Sequence, residues 1–141
     1  MSTVTALPTG NVHAVLDRAA LYLGRYGWTP TGLYDTHDAC PAKCACHRTG
    51  TYPASILGAI RAAVFGRPRW YLTGITDADQ RTYSAAVEWF NTYLIAVGHA
   101  GLHTSVFAWE TAPGRKPADV IEALCAAAIA YRKHTIRRAA A

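Results

Sequence analysis

Between Asn11 and Gly27 the apolar residues Val12, Val15, Leu16, Ala19, Leu23 and Tyr26 recur at steps of three and four. That period places them on one side of an α-helix, facing a core, with solvent on the other side. Asn11 supplies an N-cap after "PTG", and Gly27 supplies a stop. No other feature restricts the fold as strongly, because the arrangement returns three more times. Ile56, Leu57, Ile60, Ala63 and Val64 form a second stripe, entered at Pro53 and closed by Gly66 and Pro68. Tyr83, Ala86, Val87, Phe90, Leu94 and Val97 form a third, behind Thr76 and Asp79, which resemble a capping box with Asp in the usual Glu or Gln place. Val120, Ile121, Leu124, Ala128 and Tyr131 form the fourth, with Pro117 in its first turn and Asp119 at its positive end.

The expectation is an all-α fold, a four-helix domain with short extended connectors at "RWYLTGI" (69–75) and within "HTSVFAW" (103–109). Residues 29–51 carry no period and are broken by Pro30, Gly32, Pro41 and Gly50, so they read as one long loop. Loops above about 12–15 residues are functional, mobile or held by something. Residues 1–131 form a single domain in this reading, and 132–141 a basic tail with a fraying end. With 141 residues, 51% apolar and 16% charged, the chain is large enough for its own core and too apolar for disorder.

The formal net charge of +5 is unevenly placed. Arg132, Lys133, Arg137 and Arg138 follow the last acid, Glu122, and the basic residues before them nearly balance the nine acids. The body therefore offers no basic binding face, and those four residues are the candidate nucleic-acid contacts, at a spacing compatible with one helical side. The competing reading is a solvated helix end whose positive charges suit the helix dipole. No apolar run approaches the roughly 18–20 residues of a membrane span. "MSTVTALPTG" has neither the basic nor the apolar region of a secretion signal. A cytoplasmic location, reduced cysteines and no membrane partner are expected.

Three of the four cysteines lie in "HDACPAKCACH" (37–47). His37, Cys40, Cys44 and Cys46 form the ligand set that best suits one tetrahedral structural zinc, since the adjacent Cys46 and His47 could hardly bind the same ion. Free, partly buried thiols are the bland alternative, and a Cys40–Cys44 or Cys40–Cys46 disulfide is a third. A cysteine nucleophile would need a base brought to it in space, such as His99 or His103. Cys125 reads as a core cysteine, and Trp28, Trp70, Trp89 and Trp109 as anchors between helices rather than stacking platforms. His13, His134, Glu88 and Glu122 read as surface positions.

The chain contains no glycine-rich phosphate loop, HExxH or nucleophile elbow. The function that remains foremost is a non-catalytic binding or accessory protein, acting through a protein partner or self-assembly. A nucleic-acid-associated protein with a basic arm, and a cysteine- or metal-dependent enzyme, are the alternatives.

Three segments carry a resemblance. "WETAPGRKPADVIEALCAAA" (109–128), with Trp109, Pro113, Gly114, Arg115, Val120 and Leu124, "LGAIRAA" (57–63) and "LYLGRYGWTPTG" (21–32) together resemble a family of small actinobacterial and actinophage helical proteins of unknown function. The resemblance implies an all-helical fold and a bacterial or phage setting, and brings no assigned activity. Glu110 and Thr111 stand where the family pattern has Asn-Asp, and Ser55 where many members carry a cysteine.

Overall fold

The computed structural model describes residues 12–36, 50–98 and 105–140. The first stripe folds as expected into α1 (Val12–Tyr26), which buries Val12, Val15, Leu16, Ala19, Ala20 and Leu23. Four further helices follow: α2 (Ile56–Phe65), α3 (Asp77–Ala96), α4 (Val106–Glu110) and α5 (Pro117–Ala140). The fold is all-α, with two isolated β-bridges and no strand among the described residues.

Helix α1 is the central element. It packs most extensively on α5, next on α2, and also on α3, while α3 closes against α2 and α5. Leu16, Ile56, Ile60, Phe90, Leu94, Val120 and Leu124 are wholly enclosed between these four helices. Gly24, near the end of α1, faces Ile121, near the start of α5. Val12, at the other end of α1, shares a groove with Tyr131 and Arg138. The two helices therefore run antiparallel.

The helix starts follow local chemistry. Thr76 accepts a hydrogen bond from the Asp79 backbone N–H at 3.1 Å and so satisfies one of the free donors of α3. Thr76→Ala is expected to destabilise the protein by about 1 kcal/mol, seen as a fall of a few degrees in the thermal midpoint. At α5, Asp119 Oδ2 accepts from the Lys116 backbone N–H at 2.9 Å, the reciprocal half of such a cap.

Three expectations need correction. The second helix begins at Ile56, not Pro53, with Ser55 as N-cap accepting from the Gly58 N–H. The reason is a tertiary contact: Pro53–Ser55 is extended and lies between two other extended pieces. Ala54 bridges Trp28 in parallel and Tyr34 in antiparallel fashion. Its N–H donates to the Gly27 carbonyl and its carbonyl accepts from the Thr29 N–H, both at 3.0 Å, while the Ser55 N–H donates to Leu33 at 3.0 Å and the Asp35 N–H to Pro53 at 2.9 Å. Gly27, at φ 101°, makes the turn that brings the chain off α1 into this pairing. The start of the long loop is thus ordered by Ala54.

The second correction is α4, a fifth helix within what reads as an extended piece. Ser105 caps it, accepting from the Ala108 N–H at 3.1 Å. The third concerns the end of the chain: α5 runs unbroken through the basic residues to Ala140.

Candidate functional site

The one buried carboxylate among the described residues is Glu110, 3% exposed at the end of α4. Its Oε2 accepts two hydrogen bonds at 2.8 Å, from the Trp28 indole N–H and from the Ile56 backbone N–H. Ile56 is the first residue of α2, so the carboxylate sits at the positive end of that helix. Burial nevertheless pushes the pKa of Glu110 up, against the opposing pull of the two donors. Both donors belong to the fold, and this acid ties the exit of α1, the start of α2 and the end of α4 together.

Beside it, Trp109 meets Phe90 edge to face, and the Arg115 guanidinium lies 4.1 Å from the centre of the Trp109 indole. Arg115 Nε also donates to the Trp109 carbonyl at 2.9 Å. The "PGR" turn thus folds back onto the tryptophan before it and sets where α5 begins. On the far side of α3, Trp89 donates its indole N–H to the Ala127 carbonyl at 2.9 Å and meets Tyr131 edge to face. Both tryptophans act as anchors between helices, as their sequence settings suggest.

The opposite flank of α1 is different. Leu21 falls outside the core-facing stripe and is 72% exposed. Next to it runs an open groove of about 730 Å³ between α1 and α5, floored by Ala20 and Gly24 and walled by Ile121 and Cys125, with Asp17 and Arg25 at its ends. A second groove, of about 440 Å³, lies on the other side of Leu21 and is lined by Tyr22, Tyr26 and residues of α2. Leu21 is a ridge between two hollows. Ile129, one turn beyond Cys125 on α5, is also exposed.

Cys125 is exposed, not a core residue. Partial burial in the groove pushes its thiol pKa up, and the nearby Asp17 carboxylate adds to that. Such a thiol is held protonated rather than activated. His37, Cys40, Cys44 and Cys46, and with them the zinc reading, lie outside the described residues, as do His99 and His103. Arg132, Lys133, Arg137 and Arg138 are all exposed on α5. At about 100° per residue, only Lys133 and Arg137 stack one turn apart. Arg132 stands to one side of them, and Arg138 lies on the other, lining the groove beside Trp89 and His134. Arg69 donates to the carbonyls of Tyr71 and Thr73 at 3.0 and 2.7 Å.

Leu21 does carry a signal in the sequence, as a large aliphatic out of phase with its helix, and Ile129 carries the same one. The groove had none, since its walls come from opposite ends of the chain.

A central α1 sheathed by α2, α3 and α5, with its polar anchor at Glu110 and its apolar ridge turned outward, defines a small all-α protein built around one core. The chain belongs to a family of unknown function, DUF6197, whose sequence model matches residues 8–130. The match takes in the Trp109–Arg115 turn and the Leu21 face and stops short of the basic end of α5. No curated protein and no solved structure matches the chain. No helix among the described residues is long and apolar enough to cross a membrane.

Proposed function

We propose that this protein is a non-catalytic binding protein that works through a protein partner docking on the α1–α5 face. The observation that carries the reading is Leu21, 72% exposed on a ridge beside an apolar groove. Leaving a leucine in water forgoes about 1.5–3 kcal/mol that its burial would contribute. A contiguous apolar surface edged by charges is the usual form of a protein-binding site. Two further observations support a role without catalysis. Glu110, whose pKa is raised, faces donors of the fold rather than a cleft. The Cys125 thiol is pushed away from its reactive form.

A photo-reactive amino acid placed at position 21, compared with one at the exposed polar position Gln80 on α3, tests this in cells. Cross-links to protein at 21 and none at 80 are expected. Equal labelling at both positions would overturn the reading. So would salt-dependent DNA or RNA binding, abolished by removing residues 132–141, in a protein that yields no cross-link at 21.

A further inference from the structure

We propose that the outward side of α5 is a separate docking strip whose occupant is an acidic amphipathic helix of another protein. The strip faces away from the core, and the proposal stands whether or not the groove beside Leu21 is occupied.

The strip follows from the phase of the helix. At about 100° per residue, Ile136 lies about 20° from Ile129 around α5, with Arg132 about 60° from Ile129 on one side and Lys133 and Arg137 about 40° and 80° on the other. Val120, Leu124, Ala127 and Tyr131 are buried on the opposite side. The two isoleucines therefore point straight outward, 54% and 64% exposed. They stand seven residues apart, the interval at which one helix keeps facing another along its length. A single exposed aliphatic residue is ordinary. Two of them in line on one helix, with cations on both edges, form a strip.

The charges name the occupant. Arg132, Lys133 and Arg137 are all exposed, and no acid stands between Glu122 and Ala141. The acids nearest the strip lie off its cationic half. Asp119 and Glu122 come two turns or more before Ile129, and Asp119 accepts from the Lys116 N–H. Asp17 lies by Cys125, and Glu88 lines the groove on another side of α5 with His134 and Arg138. A helix laid along the strip covers the isoleucines with its own apolar seam and sets carboxylates from its edges against the three cations. Nucleic acid fits less well, because its phosphates would meet cations divided by two aliphatic side chains that donate no hydrogen bond. An apolar centre with a charged rim is the form of a protein interface. A second copy can match the isoleucines or the charges, but not both. Antiparallel pairing of Ile129 with Ile136 sets Arg132 against Lys133. Sliding the copies until Glu122 reaches Arg137 takes Ile136 off Ile129, and parallel pairing sets the cationic halves together.

Fluorescence anisotropy on the full chain tests this with a labelled synthetic heptad peptide that carries leucines along its seam and glutamates on both edges. The controls are the same peptide with lysine edges, a glutamate–alanine peptide without the leucines, and a single-stranded oligonucleotide. The glutamate-edged leucine peptide is expected to bind, more weakly as salt rises, and the controls are not. Ile129→Gln with Ile136→Gln is expected to weaken binding by about tenfold or more. Arg132→Glu, Lys133→Glu and Arg137→Glu together are expected to abolish it and to create binding to the lysine-edged peptide. Glutamine at the same three positions, which does not oppose the helix dipole, is expected to give the loss without the gain. All of these side chains are exposed, and circular dichroism confirms that each variant is folded. No binding of the glutamate-edged leucine peptide overturns the proposal, as does equal binding of the peptide without leucines. Oligonucleotide binding that is indifferent to the isoleucines overturns it in favour of nucleic acid. A dimer in sedimentation velocity that disappears in the double glutamine variant overturns it in favour of a second copy.

Discussion

Gly58→Ala is expected to destabilise the protein by about 3 kcal/mol, although the same change in an exposed helix usually stabilises by about 1 kcal/mol. The sign reverses because α2 crosses the extended segment 33–35 at this residue. A Cβ on Gly58 would overlap the Leu33 carbonyl oxygen and lie 3.0 Å from Tyr34 Cε1. Neither neighbour is free to move away. The Leu33 carbonyl accepts from the Ser55 N–H at 3.0 Å, one residue before α2 begins. The Tyr34 hydroxyl donates to the Gly58 carbonyl at 2.8 Å and accepts from the Arg69 N–H at 2.9 Å. Relieving the clash must break the Ala54 pairing or tilt α2 off α1. In a chain of this size the thermal midpoint is expected to drop by roughly 10 °C. Urea unfolding with an unchanged slope and a lower midpoint would confirm it. An alanine variant as stable as the parent would mean that the close approach of α2 and Leu33 is wrong.

Gly58 also marks the limit of what the sequence discloses. The four long helices were legible because each carries its own apolar stripe, and Thr76 and Pro117 mark their starts by chemistry confined to a few residues. The start of α2 was misplaced because Pro53 is a good first-turn residue, but Ala54 pairs with Trp28 and Tyr34 instead. That is a contact between distant parts of the chain, and no local pattern carries it. Helix α4 was missed because five residues are too few to show a period; Ser105, three residues before Ala108, was its only trace. Of the candidate site, neither the ridge nor the hollow was among the sequence-based expectations. Leu21 breaks the phase of its helix, whereas the emptiness beside it depends on where Gly24 meets Ile121. Glu110 stood out in the sequence only as a departure from the resemblance at Trp109, and its two donors come from α1's exit and α2's start. The 37–47 stretch, where the metal ligands were sought, lies outside the described residues.

Substitutions at Glu110 separate its hydrogen bonds from its charge. Glu110→Ala removes the acceptor and strands the Trp28 indole N–H and the Ile56 N–H in a buried site. An unsatisfied buried donor costs about 1–3 kcal/mol, so a loss of about 3 kcal/mol is expected. Glu110→Gln keeps an oxygen for both donors and never needs to bury a charge; it is expected to stay within about 1 kcal/mol of the parent at neutral pH. The pH dependence distinguishes them further. Because burial raises the carboxyl pKa in the folded state, the native protein holds this proton more tightly than the unfolded chain does. As the pH climbs past the ordinary carboxylate range, the unfolded chain releases the proton first, and stability falls until the folded group ionises as well. Below that window the full contribution of Glu110 is present, and above it the loss is constant. For one proton the slope approaches about 1.4 kcal/mol per pH unit. The glutamine variant lacks this proton, so the parent's stability relative to it is expected to decline with rising pH across the window. A difference between the two that does not change with pH would show that burial does not raise the carboxyl's pKa, and equal stability of the alanine and glutamine variants would show that the two hydrogen bonds do not hold α1, α2 and α4 together.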